Sequence, residues 1–296
     1  MRPMPAGAPL SAGDRAATLA GIGFVVLGVT LFAVMDACST TLAETQSLPQ
    51  IVWARYAFAV PVILATTPCA IWPVLFRVAS HALRASRGLL PMAANLAVVA
   101  GLTLLPLAEV TALTFASPLV VVALSGPMLG ERTSPHDWLG VLVGFAGILV
   151  IVRPSAGAIA WAALLPLACA VCFALFQLTT RLVARSDHPA ATLAWTIAVG
   201  LVVTTPLLLL DWRPVGARAW AVMIFSGLCF GAAQFCLARA YLSAPAALLA
   251  PFTYTQIAPA VVLGFVLFGT VPDLWAAVGT AVVIGAGLYV LHRRPR

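Results

Sequence analysis

Ten apolar runs, separated only by short clusters of charged or turn-forming residues, occupy nearly the whole chain. They fall at roughly 18–42, 49–71, 88–106, 109–129, 136–152, 158–183, 190–210, 218–241, 245–269 and 273–291. A helix needs about 20 apolar residues to cross the hydrocarbon core of a bilayer, and most runs reach or approach that length. Only 8% of the 296 residues are charged, against about 25% in a soluble domain. The mean hydropathy is +1.05. So few charges cannot cover a water-facing surface, so the sequence implies an all-α integral membrane protein. The connecting segments are short. Neighbouring helices should therefore be antiparallel, and no segment has room for a soluble globular domain.

The net charge of +7 does not point to nucleic acid. The 16 basic residues are all arginine and lie mostly in the short connecting segments, where membrane orientation explains them. With the N-terminus inside, the outer segments hold only Arg153, Arg213 and Arg218, Arg55 lies within a run, and the other twelve are cytoplasmic. Both termini are thus expected in the cytoplasm. Residues 1–17 are rich in Pro, Ala and Gly and read as a disordered tail, with 292–296 as a short tail at the other end. The first run is too long for a signal-peptide core and is expected to be retained.

The chain repeats itself weakly. Phe32-Ala33-Val34-Met35-Asp36 resembles Phe173-Ala174-Leu175-Phe176-Gln177, and Gly140 and Gly279 hold matching places in the fifth and tenth runs. This divides the chain into two five-span units, 18–155 and 156–291. An odd span number inverts the second unit relative to the first. Inverted repeats are an architecture of secondary transporters, with the substrate site near the midplane where the repeats meet.

Two charges lie within runs. Asp36 is expected about 9 Å below the outer end of the first span and Arg55 about 9 Å below the outer start of the second. An unpaired charge at that depth costs a few kcal/mol or more, so the two should pair. Gln177 stands at the place of Asp36 in the second unit, and Trp195 or Thr196 at that of Arg55, so both charges vanish together. Two roles are open: a lock between the first two spans, or an outer gate that steers substrate.

The remaining polar groups within runs include Asn95, Thr111, Thr114, Gln177, Gln234, Thr253, Tyr254 and Gln256. Unsatisfied amides and hydroxyls are costly in hydrocarbon, so these should face the bundle interior or a wet cavity. They are candidate substrate ligands. The competing reading for the threonines is bonding back to their own helix, and for the amides it is contact between helices. Tyr254 and Gln256 are about 200° apart on a regular helix, so one cavity can receive both only if the helix is distorted. Pro118, Pro251 and Pro259 are candidate hinges, each leaving a backbone carbonyl without its amide partner. A static kink is the alternative. Gly140-x-x-x-Gly144 and Gly227-x-x-x-Gly231 are small-residue faces suited to close helix packing.

Cys169-x-x-Cys172 has the spacing of a redox or metal pair, but no His or acidic neighbour completes a metal site. Small residues packing in a helix account for it. No soluble-enzyme signature and no phosphate-binding glycine loop is present. The chain is expected to be no enzyme, to need no cofactor or metal, and to bind no nucleic acid. Its partners are a small-molecule substrate and the lipid bilayer, with the monomer as the working unit.

Phe115-Ala116-Ser117-Pro118-Leu119 followed by Leu129-Gly130-Glu131-Arg132 resembles the first-half signature of EamA-type members of the drug/metabolite transporter superfamily. Pro251-Phe252-x-Tyr254-x-Gln256-Ile257 with Phe268-Gly269-x-x-Pro272-Asp273 resembles the second-half counterpart, and Met35-Asp36 and Arg55 fit the family's first two helices. Thr270 departs from the pattern, since a Glu often follows that glycine. The resemblance is nearest to the YddG-like amino acid exporters. It implies ten transmembrane helices in two inverted five-helix EamA repeats around a central cavity, in the bacterial inner membrane. It also implies export of amino acids, aromatic and other, by alternating access. Uptake of S-adenosylmethionine is the alternative within the class, and a non-transporting scaffold or sensor the alternative outside it.

Overall fold

A computed structural model describes residues 12–66, 81–129, 135–152, 161–183, 189–209, 211–243 and 252–293. All regular structure among them is helical: α1 (Ala12–Ala43), α2 (Leu48–Ala57), α3 (Val60–Thr66), α4 (His81–Leu102), α5 (Leu107–Thr114), α6 (Ser117–Leu129), α7 (Pro135–Val152), α8 (Leu164–Val183), α9 (Pro189–Leu207), α10 (Ala217–Ser243), a 3₁₀ turn (Tyr254–Gln256), α11 (Ile257–Phe268) and α12 (Leu274–Arg293). Three stretches are long and apolar enough to cross a membrane: Ala16–Ala43, Leu48–Thr66 and Ala217–Ala240. The remaining apolar helices within the described residues are shorter.

Element ends depart from the sequence reading in explicable ways. α1 begins at Ala12, inside the stretch expected to be disordered. Alanines such as Ala16 and Ala17 favour helix. The second run is not one helix, because α2 and α3 are interrupted at Phe58–Ala59. The fourth run breaks at Phe115–Ala116, just before Pro118. A proline removes an amide and crowds the preceding turn. Among the described residues of the ninth run, a 3₁₀ turn precedes α11. Pro251 lies outside the described residues. α11 ends at Gly269, whose φ of 64° is the left-handed conformation glycine adopts readily. The Thr270 amide and hydroxyl both donate to the Gly264 carbonyl, at 3.1 and 3.0 Å. Thr270 thus caps the end of this helix. Asp273 Oδ1 accepts from the Ala276 amide at 2.8 Å and caps α12.

Hydroxyls inside apolar helices are satisfied locally. Thr30, Ser39, Thr40 and Thr41 of α1 each donate to the carbonyl four residues back. The helices then pack in pairs. α1 runs along α10, α4 along α8, and α7 along α12. α9 packs on both α4 and α2, and α10 also packs on α2 and α3. α6 packs on α8, α11 on α1, and α5 on α11.

Glycines bring backbones together at two of these crossings. A Cβ on Gly227 would lie 2.6 Å from the Ala54 carbonyl oxygen, and one on Gly231 3.2 Å from the Ala59 Cα. The Gly227-x-x-x-Gly231 face thus receives α2 and α3. A Cβ on Gly279 would lie 2.6 Å from the Gly147 carbonyl oxygen, so α7 and α12 touch at backbone level. Gly144 fits against the Leu119 side chain.

Candidate functional site

Two buried features stand out, one within the first half of the chain and one where the two halves meet. The first is built on Arg55, which is fully buried. Its Nη2 donates to Asp36 Oδ1 and to Ser39 Oγ, both at 2.7 Å. Its Nε donates to the same Ser39 oxygen at 3.2 Å, and Nη1 donates to Asn95 Oδ1 at 2.8 Å. Asn95 Nδ2 in turn donates to the Tyr56 hydroxyl at 3.1 Å and to the Pro91 carbonyl at 3.0 Å. One guanidinium therefore joins α1, α2 and α4. Such a charge is tolerable in a low-dielectric interior only when paired and fully hydrogen-bonded.

The sequence placed Asp36 beside Arg55 but missed Ser39 and Tyr56. Ser39 was findable, since it lies one turn beyond Asp36 on the same helix face. Asn95, a candidate substrate ligand, has its amide oxygen and nitrogen committed to protein partners here.

The second feature lies at the two helix breaks. Tyr254, in the 3₁₀ turn, is 6% exposed, and its ring packs on Phe115, in the break between α5 and α6, with centroids 5.1 Å apart. The Tyr254 hydroxyl is buried with no hydrogen-bond partner among the described residues. Thr111 and Thr114 line the helix just before that break, but their hydroxyls donate to the carbonyls of Leu107 and Thr111. Gln234 and Gln256 are half-buried. Thr253 is half-buried.

The prolines sit in equivalent places at these breaks. Pro118 follows Thr114 by four residues and Pro259 follows Thr255 by four. Each leaves that threonine carbonyl without the helical amide it would otherwise meet. Gln177 lies within α8, and its side chain falls outside the described residues, as does that of Pro118. Cys169 is a buried free thiol on α8 and Cys172 a half-buried one.

Residues 19–153 match the model of the EamA-like transporter family. The chain belongs to the EamA-like transporter family. It is similar to the riboflavin transporter of Rhizobium johnstonii, at 30% identity over 67% of this chain and 66% of that protein, just under two thirds of the relative's length. It also resembles the S-adenosylmethionine uptake transporter of Rickettsia felis, at 23% identity over 93% of each chain. A crystal structure covering 93% of this chain and 96% of its own superposes with a TM-score of 0.55 at 20% identity, a likeness of fold alone. This EamA-family chain is a multi-pass protein of the bacterial inner membrane, and by family a transporter rather than an enzyme. The names of these two relatives do not mention amino acids.

Proposed function

We propose that this chain is a secondary transporter that moves a small, net-neutral, amphipathic metabolite outward by alternating access, with amino acids as the leading class. The architecture proposed is ten spanning segments in two inverted repeats, 18–155 and 156–291, with both termini cytoplasmic and the monomer as the unit. The helix pairings support the repeat. Let α1 correspond to α8, α2–α3 to α9, α4 to α10, α5–α6 to the 3₁₀ turn and α11, and α7 to α12. Exchanging these mates turns α1 on α10 into α8 on α4, α9 on α4 into α2 on α10, and α6 on α8 into α11 on α1. It leaves α7 on α12, α2 on α9 and α5 on α11 unchanged.

The observation that carries the functional reading is the buried, unpartnered Tyr254 hydroxyl, set against Phe115 where two interrupted helices meet. Interrupted helices at the repeat interface form the substrate sites of such carriers. An unpaired buried hydroxyl costs about 1–3 kcal/mol, a cost that a transported ligand can offset. Asp36 and Arg55 are engaged with each other. The candidate ligands nearest the breaks are neutral, which suits a zwitterion or an uncharged ring better than a net cation. Gln234, Gln256, Thr253 and Gln177 are the further proposed ligands, with Pro118, Pro251 and Pro259 as hinges. The names of the two relatives favour a second reading, a larger heterocyclic metabolite.

Proteoliposomes loaded with radiolabelled aromatic and other amino acids, riboflavin or S-adenosylmethionine, with and without a proton gradient, test this directly. Counterflow of amino acids is the expected result. Counterflow of riboflavin alone selects the second reading, and no counterflow of any compound removes both. Tyr254→Phe supplies an independent check. The variant is expected to melt at or slightly above the wild-type temperature, because it loses an unpartnered polar atom. It is expected to transport roughly tenfold more slowly, the factor equivalent to about one net hydrogen bond. Unchanged transport would take Tyr254 out of the path.

A further inference from the structure

α2 and the residue before it are fastened by four hydrogen bonds, three to the segment between α9 and α10 and one to the end of α9. Ser47 Oγ donates to the Asp211 carbonyl at 2.6 Å, and Gln50 Nε2 donates to the Arg213 carbonyl at 2.9 Å. The Arg213 amide donates back to Gln50 Oε1 at 3.1 Å, and Trp53 Nε1 donates to Thr205 Oγ1 at 3.2 Å. Gln50 is fully buried and Ser47 nearly so, yet Asp211, Trp212 and Arg213 on the other side are exposed. The Gln50 amide thus serves two tasks. It closes the helix start by accepting from the Ser47 amide at 3.2 Å, a capping-box arrangement, and it reaches across to the backbone of a segment more than 160 positions away.

We propose that these contacts are a gate at this end of the bundle, with Gln50 as its latch, and that parting them is a step of the transport cycle. The inference rests on the transporter reading above. Three observations carry it. First, every bond in the set joins the first half of the chain to the second, where rocking of one half against the other must act. Second, the set lies at the rim of the bundle beside exposed backbone, so water can replace each bond when it parts. Third, the same interface is of a different kind further along. There Tyr56 packs on Gly200, with a would-be Cβ 2.7 Å from the tyrosine Cζ, and the Ala54 carbonyl meets Gly227. Contacts at backbone level resist separation and suit a pivot, whereas solvated polar contacts at the rim suit a latch.

Two measurements on the full chain in lipid nanodiscs or liposomes test the gate. In hydrogen exchange, Gln50→Leu is expected to speed exchange across 205–216 roughly tenfold, while Met223–Phe230 keeps its wild-type rate. Equal rates in 205–216 overturn the latch. So does acceleration through the whole of α10, because that signals general unfolding. Ser47→Ala, which deletes the bond to the Asp211 carbonyl and the hydroxyl contact with Gln50 Oε1 but leaves the amide of Gln50 in place, serves if Gln50→Leu does not fold. In the second measurement, Ser47→Cys with Asp211→Cys is introduced after replacement of the native cysteines, and the pair is joined by oxidation. Counterflow is expected to stop when the pair is linked and to return on reduction. Full-rate counterflow by the linked protein overturns the gate. If the unlinked protein moves no compound of the panel, the transporter reading fails, and the exchange measurement still decides whether the contacts open as a unit.

Discussion

Arg55→Leu is expected to cost about 3–5 kcal/mol, the range for breaking a buried ion pair from one side, and with it most of the folded yield. The leucine would leave the Asp36 carboxylate buried without its counter-charge. It would also strip the Asn95 amide oxygen of its donor and Ser39 of two. Water cannot repair such a site in the interior of a bundle. The double variant Asp36→Asn with Arg55→Gln removes both charges while keeping polar groups in place, and it is expected to recover much of the loss. Yield by fluorescence-detected size exclusion and midpoints of thermal unfolding read the difference. If Arg55→Leu melts within a few degrees of the wild type, the network does not hold α1, α2 and α4 together. Transport by the double variant then separates the two roles. Wild-type counterflow assigns the network to architecture alone, and a folded but inactive carrier assigns it a part in gating.

Gly227→Val is the second large effect expected. Its Cβ would sit 2.6 Å from the Ala54 carbonyl oxygen and 3.0 Å from the Phe58 Cα. Both obstacles are backbone, so neither can swing aside as a long side chain would. α10 must back away from α2, which opens the contact along the whole face and costs about 1–3 kcal/mol or more. Gly23→Ala is the matched control. Nothing lies within 4 Å of a Cβ there, and alanine in a helix is favoured over glycine by about 1 kcal/mol. The control should therefore melt at or above the wild type. Equal melting of Gly227→Val and Gly23→Ala would show that the close approach of α10 to α2 contributes nothing to stability.

The parts of this structure legible in the sequence are those set by one helix at a time. Runs of apolar residues gave the helical class, and equal depths on adjoining antiparallel runs gave the meeting of Asp36 and Arg55. Pro118 marked the fourth run as broken, although the break itself falls earlier, at Phe115–Ala116. What depends on how a third helix is rotated was not legible. Asn95 carries no mark in the sequence that turns it toward Arg55 rather than toward a ligand. Thr111 and Thr114 have the spacing of a lining stripe, but a carbonyl in their own helix lies within reach of each hydroxyl. Tyr254 and Gln256 looked incompatible with one cavity under ideal helical geometry. The 3₁₀ turn removes that premise, and it leaves Tyr254 buried and Gln256 half-buried. Gln50 escaped notice because a polar residue at the start of a span looks like ordinary interface chemistry, and its partners are backbone atoms that no side-chain pattern announces.

The placement of the ion pair bears on how the chain enters its membrane. Asp36 precedes Arg55 by 19 positions, so during synthesis the acid reaches the insertion machinery before its base exists. A carboxylate costs about 2.5–3.5 kcal/mol at the centre of a lone helix, and a part of that cost remains at the depth of Asp36. Its relief arrives only with the following helix. α1 and α2 are therefore expected to partition as one hairpin, with α1 held at the insertion site until Arg55 emerges. Chains truncated after Ala43 should integrate poorly, and Asp36→Leu should release them. Efficient integration of the truncated wild-type segment would show that α1 commits to the bilayer alone.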